Sequence, residues 1–568
     1  MPERIFIGVA WPYANGPLHL GHIAGCYLPA DIFARYHRLK GDDVLMVSGS
    51  DQHGTPVTIR AEQEGVTVPE VVKKYHDSFV DSWEKLGIGF DLYTTTGTDN
   101  HRQVAQQIFT KLHRQGDIFP QTTELAWCEK DKRFLPDRYV DGTCPFCGNT
   151  RARGDQCDKC GRPMNPQDLV DWRCRLCGQA PVLRKSEHQF LRLSAYEQKL
   201  ADWIDRSGGH WRPNVHNFTR QWLSDGLRDR SITRDMEWGV PVPLKGYEDK
   251  RIYVWFEAVI GYLSAAMEWA QRQGKPERWR DFWQDPACRA YYFIGKDNIP
   301  FHTIIWPAMI MAYGDYDGQR SRYVLPYDVP ANEFLSLEGD KFSTSQNWAV
   351  WVPDFLERYA PDALRYHLSA TMPETSDSDF SWRDFVRRNN DELVATYGNL
   401  VHRVLSFTYR NYEGLVPTPG PLDSEDQKLL AYAQDRALNE VGEQIGLCNF
   451  RAALGVAMGL AQAANRYLDA KAPWKTLKES RERTATTLWV AIAVISTLKT
   501  AYAPYLPFSS RALHEMLGLP GTVEEQGWKV AFPAAGQPMK PPTQLFTKLD
   551  DKVVDEEMAR LKAQQVTA

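Results

Sequence analysis

Two histidines, His19 and His22, are the first residues of the chain whose types and spacing could do chemistry. They flank Gly21 at the point where an apolar stretch gives way to a helical pattern. At this spacing both imidazoles lie on one side of the first helical turn, where the helix N-terminus favours an anion. Because glycine lets a ligand approach the backbone closely, the pattern predicts a site for a nucleotide phosphate. The alternative is two surface histidines beside a glycine turn.

A second group of residues suited to chemistry is a cluster of cysteines. The chain has ten cysteines, which are few for a disulfide scaffold of this length, and most of them lie between Cys128 and Cys177. Two Cys-x-x-Cys pairs offer the four thiolates of a structural zinc site: Cys144, Cys147, Cys157 and Cys160. A second site could take its ligands from both sides of that group: Cys128, Asp131, Cys174 and Cys177. We therefore expect bound zinc. Whether the chain holds one zinc ion or two stays open, and the alternative is that these are free cysteines of the core.

These residues need elements to position them, and the N-terminal part of the chain predicts an α/β sheet. Residues 4–10 and 43–47 are apolar runs typical of buried strands, and residues 23–39 between them have a helical pattern. The polar turn 48–56 follows the second strand and contains Asp51. Because ligands collect at the carboxyl ends of parallel strands, we expect ligand-binding residues in this turn.

The α/β pattern is interrupted and then resumes. From about residue 115, closely spaced Cys, Gly, Pro and Asp residues indicate a small insertion held by metal, and strands at 251–256 and 289–294 return the chain to the α/β pattern. Beyond about residue 396 the pattern is helical, with a solvated helix expected in 541–568. The bundle helices are predicted at 398–409, 426–446, 450–468 and 485–503. The predicted fold class is α/β: a split Rossmann-type parallel sheet with a zinc-knuckle insertion, followed by an all-α helix bundle.

Size and composition set limits on the whole chain. A length of 568 residues exceeds one ordinary core, so about two to four domains are expected. The hydrophobic fraction of 43% and the charged fraction of 24% are typical of a folded globular protein. The net charge of -5 neither supports nor excludes a nucleic-acid partner, because 67 Lys and Arg residues can still form local basic surfaces. With no charged leader and no apolar stretch of about 18 residues, we expect no membrane contact and a cytoplasmic location.

Several segments resemble one known family. Trp11-Pro-Tyr-Ala-Asn-Gly-Pro-Leu-His-Leu-Gly-His22 resembles the "HIGH" signature of class I aminoacyl-tRNA synthetases in its methionine-type setting. Lys341-Phe-Ser-Thr-Ser345 resembles their second signature, although Thr344 stands where the family normally has a second lysine. Three further blocks, of which the second has Val259 in place of the usual proline, resemble methionine-type enzymes: 232–241, 253–262 and 293–302. The resemblance covers nearly the whole chain.

The family resemblance implies a division into five regions. They are the first half of a Rossmann catalytic domain (1–115), a connective insertion with zinc knuckles (116–230), the second half of the catalytic domain (231–330), a linker domain with the Lys341 loop (331–395) and a helical anticodon-binding domain (396–568). The oligonucleotide-binding domain that often follows the bundle is not visible, so a monomer is expected.

The implied reaction is the ATP-dependent ligation of L-methionine to tRNA(Met) through a methionyl-adenylate, with release of pyrophosphate and AMP. His19 and His22 would act as catalytic residues at the α-phosphate, and Lys341 would neutralise the pyrophosphate. The resemblance extends ATP binding to Ser343 and Thr344, with Mg²⁺ expected on the triphosphate. Because Thr344 stands in place of a lysine, one positive charge of the usual loop is missing from this sequence.

The resemblance also implies residues for the amino acid and for the tRNA. The methionine pocket would be lined by Tyr13, Trp255, Tyr262 and His302, and Asp51 would hold the substrate ammonium. Aromatic walls suit a soft thioether, and a carboxylate suits an α-amino group. The anticodon would be read by Asn399, Arg403 and Trp474. The alternative is that these aromatic residues only fill the core of the sheet and of the bundle.

Two other interpretations remain open. A class I synthetase for leucine, isoleucine, valine or cysteine would share both signatures. The first three are disfavoured because no large editing insertion is visible, and the fourth because it relies on a catalytic-site zinc. A zinc-containing RNA-binding module without activity is the second interpretation, suggested by Thr344 and opposed by intact His19, His22, Asp51 and Lys341.

Overall fold

The centre of the molecule is a parallel β-sheet. A computed structural model describes residues 2–136, 139–154, 157, 159, 164 and 166–566. The strands of the sheet are adjacent in this order: Pro326–Asp328, Arg289–Gly295, Arg4–Val9, Asp43–Ser50 and Leu92–Thr95. A short strand, Ala331–Asn332, also pairs with the second of these, and every pairing is parallel. Strands from distant parts of the chain are neighbours, which confirms the predicted split sheet.

Helices enclose this sheet, and its first strand is accordingly apolar and buried over most of its length. In the first strand Ile5 and Ile7 point to one face and Phe6 points to the other, and all three are buried, as expected when helices cover both faces of a parallel sheet. The helices of the two halves are Leu20–His22, Leu28–Lys40, Thr55–Glu64, Val68–Leu86, Asp99–Gln115, Gly261–Arg272, Trp279–Trp283 and Trp306–Tyr313. A π-helical turn, Ile23–Tyr27, makes one continuous helix of the first two. Such turns occur frequently at functional sites.

An antiparallel insertion lies between the two halves of the sheet. Its long strands, Ile118–Cys128 and Val182–Leu191, pair over most of their length. The shorter strands are Arg133–Phe134, Val140–Thr143, Ala152–Arg153, Val170–Cys174 and Arg230–Ser231. The helices are Glu197–Ser207 and Pro213–Ser224, with 3-10 turns at Pro166–Asp168, Leu193–Tyr196 and Gly208–His210. Several cysteines lie within a small apolar cluster of this insertion, separate from the main cores.

The strand predicted at 251–256 is wrong beyond residue 252. A hairpin pairs Thr233–Asp235 with Lys250–Ile252, and the chain then forms a helical turn, Val254–Glu257, and a 3-10 turn, Ala258–Ile260. The aromatic and β-branched residues favour a strand, but tertiary contacts override that preference. The helical turn brings Glu257 into the interior, where it contacts two histidines.

A small sheet and a helical region complete the chain. The strands are Leu335–Leu337, Asp340–Lys341 and Ser378–Phe380, and the helices beside them are Val352–Leu356, Pro361–Ala370 and Trp382–Arg388. The predicted bundle is confirmed, with π-helical turns at Asn389–Gly398 and Tyr432–Ala437. Its helices are Asn399–Asn411, Ser424–Ala431, Leu438–Gly446, Phe450–Lys471, Pro473–Thr476, Arg481–Tyr502, Pro507–Met516, Val523–Gln526 and Lys552–Val566.

The helix Lys552–Val566 is not the solvated helix that its composition predicts, and it is shorter than the predicted segment. Glu557 and Leu561 are buried, with 4% and 3% of their surface exposed. Arg358 donates to both carboxylate oxygens of Glu557, at 2.9 and 3.0 Å, and the Tyr359 hydroxyl donates to the same carboxylate. The helix is therefore docked against the region of the small sheet.

The helix Arg481–Tyr502 corrects a second expectation. Among the described residues it is long and apolar enough, by length and composition alone, to cross a membrane, whereas no such stretch was expected. However, 94% of its most apolar window is buried inside the protein. It is the core helix of the bundle.

A buried ion pair joins the sheet, the small-sheet region and the bundle. Arg365 is fully buried and donates to the Asp31 carboxylate at 2.7 Å, to the Tyr505 carbonyl at 2.7 Å and to the Leu86 carbonyl at 3.2 Å. Burial alone would raise the pKa of Asp31, but Arg35 and Arg365 hold it below its usual value. The pair therefore keeps both charges, although neither side chain reaches water.

We predict that Arg365→Met destabilises the protein by about 3 to 5 kcal/mol, because it leaves a buried carboxylate short of a partner. The measurement is the midpoint of thermal unfolding. The double variant Arg365→Met/Asp31→Asn removes that charge as well and should recover part of the loss. A single variant that melts like the unaltered protein would show that the pair does not hold these regions together.

Candidate active site

The His19–His22 segment follows the strand Arg4–Val9 and begins the helix, as predicted. The backbone N–H of Gly21 donates to His19 Nδ1, and the backbone N–H of His19 donates to His22 Nδ1, both at 3.1 Å. The two rings lie 3.8 Å apart between centroids. A Cβ on Gly21 would lie 2.9 Å from the His19 ring, so any larger residue at this position would displace that ring.

These hydrogen bonds determine which nitrogen of each histidine carries the proton. A ring nitrogen that accepts from a backbone N–H has no proton, so in the neutral ring the proton is on Nε2. Burial lowers the pKa of His22 to about 4 and that of His19 well below its usual value, the latter also because of the neighbouring His22. Both rings are therefore neutral Nε2–H donors at physiological pH. The sequence predicted that backbone amides at this helix start would face the ligand together with the imidazoles. The structure differs for Gly21, whose backbone N–H donates to His19 instead.

The Lys341 loop folds onto the histidine pair. The Phe342 ring stacks on the His19 ring with centroids 4.7 Å apart and an angle of 12° between planes. Residue His19 also forms a β-bridge with Trp351, just beyond the loop. The 3-10 turn Thr344–Gln346 places Thr344 at the surface, and Ser343 pairs with Trp348. The two segments predicted to handle ATP are thus in contact.

A second lysine, which the sequence did not single out, lies beside Lys341. The ammonium groups of Lys296 and Lys341 lie 4.0 and 5.0 Å from the centre of the Phe334 ring. Lys296 also forms ion pairs with Glu333 at 2.7 Å and with Asp377 at 2.8 Å. Because two carboxylates pair with Lys296, this lysine adds no net positive charge beside the loop.

The aromatic residues predicted to hold methionine are joined by contacts. Trp255 Nε1 donates to the Tyr13 hydroxyl at 3.0 Å, and the Trp255 ring packs against Phe301 at 4.8 Å. The Tyr262 hydroxyl donates to His302 Nε2 at 2.8 Å, because His302 Nδ1 donates to a backbone carbonyl. Burial lowers the pKa of His302 to about 4, so this ring is neutral as well. The four side chains therefore form two contacting pairs, Tyr13 with Trp255 and Tyr262 with His302.

Asp51 belongs to a buried polar network that sequence reasoning missed. Glu257 is fully buried and contacts His53 Nδ1 at 2.7 Å and the Nε2 atom of His101. Asp51 accepts from the backbone N–H of His53 at 3.0 Å and from the Thr96 hydroxyl at 3.4 Å. Burial, and then the charge of Glu257, raise the pKa of Asp51 well above its usual value. His53 lies in the polar turn and Glu257 in the 253–262 block, so both were within segments already marked.

The cysteines form two groups with the spacing of metal ligands. Within each group, the possible ligand atoms all lie within 4.8 Å of one another. The first group contains Cys144, Cys147 and Cys157; its predicted fourth member, Cys160, lies outside the described residues. The second group is complete and consists of Cys128, Asp131, Cys174 and Cys177. Three thiolates and one carboxylate, or four thiolates, are donor sets that fit a tetrahedral zinc ion.

Two of the three residues predicted to read the anticodon contact each other. The Arg403 guanidinium lies 4.8 Å from the centre of the Trp474 ring. Trp474 is 37% exposed, so its ring is accessible to a stacked base. Asn399 is exposed and lies one helical turn before Arg403. The alternative interpretation, a tryptophan buried in the core of the bundle, is inconsistent with this exposure.

A split parallel sheet, a neutral histidine pair at its first strand and a lysine loop folded onto that pair define a class I aminoacyl-tRNA synthetase. The sequence model of the family "tRNA synthetases class I (M)" matches residues 5–405. That of the "Anticodon binding domain of methionyl tRNA ligase" matches residues 416–566. Together they account for both the sheet-containing part and the bundle.

Individual relatives agree with this assignment. A methionine–tRNA ligase of Dehalococcoides mccartyi is 57% identical over 561 residues, which is 99% of this chain and 100% of the relative. One of Thermomicrobium roseum is 52% identical over 590 residues, with the same coverage. Mycobacterium tuberculosis methionyl-tRNA synthetase in complex with methionyl-adenylate has a TM-score of 0.79 at 28% identity, covering 96% of this chain and 99% of that chain. The chain belongs to the methionine–tRNA ligases.

Proposed function

We propose that this chain ligates L-methionine to tRNA(Met) in two steps, through a methionyl-adenylate, with ATP as the energy source. The observation that carries the proposal is the stacking of Phe342 on His19, which joins the two signature segments. Tyr13, in the same turn as the histidines, contacts Trp255 in the aromatic group. Nucleotide-binding and amino-acid-binding residues therefore meet within one short segment.

In the first step a methionine carboxylate oxygen attacks the α-phosphorus of ATP and pyrophosphate leaves. We assign the Nε2–H groups of His19 and His22 to the oxygens on which charge develops, because fixed neutral donors stabilise that charge without reorganisation. Lys341 is assigned to the departing pyrophosphate, with Ser343 and Thr344 also at the nucleotide. Mg²⁺ supplies further charge neutralisation when bound to the triphosphate. Catalysis is then mainly positioning and electrostatic stabilisation.

The amino acid is held at two places. We assign the Asp51 carboxylate to the α-ammonium group, since a carboxylate is the partner that a free amine requires. The aromatic side chains of Tyr13, Trp255 and Tyr262, with neutral His302, surround the thioether, which gains from sulfur–aromatic contacts. A neutral His302 avoids placing an unpaired charge against an uncharged side chain.

In the second step a hydroxyl of the terminal ribose of tRNA attacks the carbonyl carbon of the methionyl-adenylate, the methionyl group passes to the ribose, and AMP leaves. Asn399, Arg403 and Trp474 are proposed to bind anticodon bases by stacking and hydrogen bonding. The five-region division into 1–115, 116–230, 231–330, 331–395 and 396–568 remains our proposal for the domains. We further propose that the protein acts as a monomer in the cytoplasm.

The cysteine groups are proposed to be two structural zinc sites. The first takes Cys144, Cys147, Cys157 and Cys160, and the second takes Cys128, Asp131, Cys174 and Cys177. When bound, zinc would hold together an insertion whose own apolar cluster is small. The support for the second site is the approach of Asp131 to Cys128 at 2.9 Å and to Cys174 at 3.1 Å.

We predict methionine-dependent exchange of pyrophosphate into ATP. His22→Ala should lower the rate of adenylate formation by about 10²- to 10³-fold, the usual effect of losing one transition-state donor, and should change methionine affinity far less. His402→Ala, which alters a histidine of the bundle, serves as the matched control and should exchange normally. Absence of exchange, or exchange driven equally by leucine, isoleucine, valine or cysteine, would refute the proposed function.

A further prediction concerns the pH dependence of methionine binding. Because the pKa of Asp51 is raised, its carboxyl group gains a proton as the pH falls, and the KM for methionine should rise. Glu257→Gln removes a neighbouring negative charge, lowers the pKa of Asp51 and should shift this rise in KM to lower pH. The measurement is KM for methionine against pH in the exchange assay.

A matched control for that experiment is Glu268→Gln, which alters another buried glutamate, bonded to Thr94 at 2.9 Å. Its KM profile should follow that of the unaltered protein. If Glu257→Gln leaves the profile in place, or moves it to higher pH, Glu257 does not control the ionisation of Asp51.

Another prediction concerns the metal content of the protein. The purified protein should contain two zinc ions per chain by elemental analysis. Cys174→Ser should release one ion and Cys144→Ser the other, and each loss should lower the melting temperature because zinc stabilises the folded insertion. One ion per chain, lost only in Cys144→Ser, would exclude the site at Asp131. Replacement of Cys288, a buried cysteine outside both groups, is the control and should leave the zinc content unchanged.

A further inference from the structure

The helix that begins at the histidine pair contains one turn that is wider than the rest. Residues Leu20–His22 and Leu28–Lys40 are α-helical, and Ile23–Tyr27 between them forms a π turn. Each residue of an α-helix turns the chain by about 100°, so the extra residue of the π turn rotates His22 by roughly that angle about the axis of the following helix. The π turn therefore determines the direction in which the two imidazoles point.

One carbonyl group of this turn lacks the partner that an α-helix would give it. The backbone N–H of Leu28 donates to the Ile23 carbonyl, whereas in an α-helix it would donate to the carbonyl of Ala24. Pro29, the next residue, has no N–H to donate. Ala24 is fully buried, so its carbonyl needs a donor from outside the described helix.

Asn332 supplies this donor. Its side-chain Nδ2 donates to the Ala24 carbonyl at 2.8 Å, and the residue is buried, with 1% of its surface exposed. Its side-chain oxygen accepts from the Arg212 guanidinium at 2.6 Å, so the nitrogen end of the amide faces Ala24. An aspartate could accept from Arg212 but could not donate to a carbonyl. The position therefore requires an amide.

The hydrogen bond from Asn332 favours the π turn over an α turn. An α turn would require the Leu28 N–H to bond to the Ala24 carbonyl, which is already bonded to Asn332. Without the amide, this buried carbonyl would be unsatisfied unless Leu28 donated to it, and an unsatisfied buried carbonyl is costly. Loss of the amide therefore favours the α turn, which would rotate the histidines away from the Phe342 ring.

Asn332 also joins the two segments that form the candidate active site. It ends the short strand Ala331–Asn332, and the chain continues from there to the strand Asp340–Lys341. The next residue, Glu333, pairs with Lys296 beside the Lys341 loop. The hydrogen bond to Ala24 thus links the start of the segment that carries Lys341 to the helix that carries the histidines.

The second half of the sheet contains a turn of the same kind. Phe301–Ile305 is a π turn in which the Trp306 N–H donates to the Phe301 carbonyl, and Pro307 follows. This turn contains His302, a residue of the proposed methionine pocket. A π turn followed by proline therefore occurs in both helices that carry histidines of the candidate site, which supports a role for these turns in placing the histidines.

We propose that Asn332 is a positioning residue for adenylate formation. By donating to the Ala24 carbonyl it holds the π turn that directs His19 and His22 toward the nucleotide. The inference rests on the proposed function, because Asn332 acts on the reaction only through this histidine pair. Its effect is indirect and passes through the backbone of the turn.

The first test is kinetic. Asn332→Asp keeps the shape of the side chain but removes the donor, and it should lower kcat for methionine-dependent pyrophosphate exchange by roughly ten- to a hundredfold, as expected when a catalytic group is misplaced by about 1 Å. The KM for methionine should stay unchanged, because the residues proposed for methionine lie outside the turn Ile23–Tyr27. Asn332→Ala should have the same effect on kcat.

Asn389→Asp is the matched control. Asn389 is also a buried asparagine, with 4% of its surface exposed, and it donates to the Thr547 carbonyl at 3.0 Å. This variant should exchange pyrophosphate at the normal rate. Normal exchange by Asn332→Asp, or an equal loss in Asn389→Asp, would overturn the inference.

A double-mutant cycle separates a positioning role from a merely structural one. In a His22→Ala background, Asn332→Asp should add little to the loss of kcat, because the imidazole that the turn positions is already absent. A full additional loss would show that Asn332 does not act through the histidine pair. Absence of exchange in the unaltered protein would instead refute the proposed function itself.

A measurement without catalysis checks the cause. A crystal structure of Asn332→Ala should show the Leu28 N–H bonded to the Ala24 carbonyl and the His19 ring displaced from Phe342. An unchanged π turn in that structure would overturn the inference. So would a failure of both Asn332 variants to fold, measured by thermal unfolding, because the residue would then serve the stability of the whole protein.

Discussion

The buried ion pair between Asp31 and Arg365 is the constraint on which the rest of the structure depends. Asp31 lies on the helix that begins at the histidine pair, and Arg365 lies in the region that carries the Lys341 loop and also contacts the bundle through the Tyr505 carbonyl. An unpaired charge in this environment is costly, so the regions cannot separate without a large penalty. The stacking of Phe342 on His19 is a second contact between the same two regions.

The site combines two electrostatic environments within a short distance. On the side that we propose for the nucleotide, the His19 and His22 imidazoles are neutral, because backbone N–H groups donate to their Nδ1 atoms and burial disfavours a second proton. On the side that we propose for the amino acid, Asp51 and Glu257 lie in the interior with His53 and the backbone as partners. A neutral hydrogen-bond donor suits a phosphate whose charge is already balanced by a bound metal ion. A buried carboxylate, in contrast, suits a substrate that carries an ammonium group.

Residue type and spacing predicted much of the fold and of the site. The apolar runs correctly predicted the parallel strands, and the helical spacing of apolar residues correctly predicted the bundle. Both predictions succeeded because the local pattern of apolar residues follows which side of an element is buried. The strand expected at 251–256 failed where Glu257 turns inward toward His53, and the solvated C-terminal helix failed where Glu557 meets Arg358. Both errors come from contacts between residues far apart in the chain. The protonation of His19 was equally hidden, since it depends on which backbone N–H reaches which ring nitrogen. The roles of the site residues stay predictions.

The docking of the helix Lys552–Val566 has a consequence for synthesis of the protein. The side chain of Asn347, at the end of the Lys341 loop, donates to the backbone carbonyl of Gln564, which lies 217 residues further along the chain. Trp351 in turn donates to the Asn347 side chain. On the ribosome the loop will emerge long before the helix that contacts it. A nascent chain can therefore complete its nucleotide-binding sheet early, but the loop receives this support only after the whole bundle has been translated.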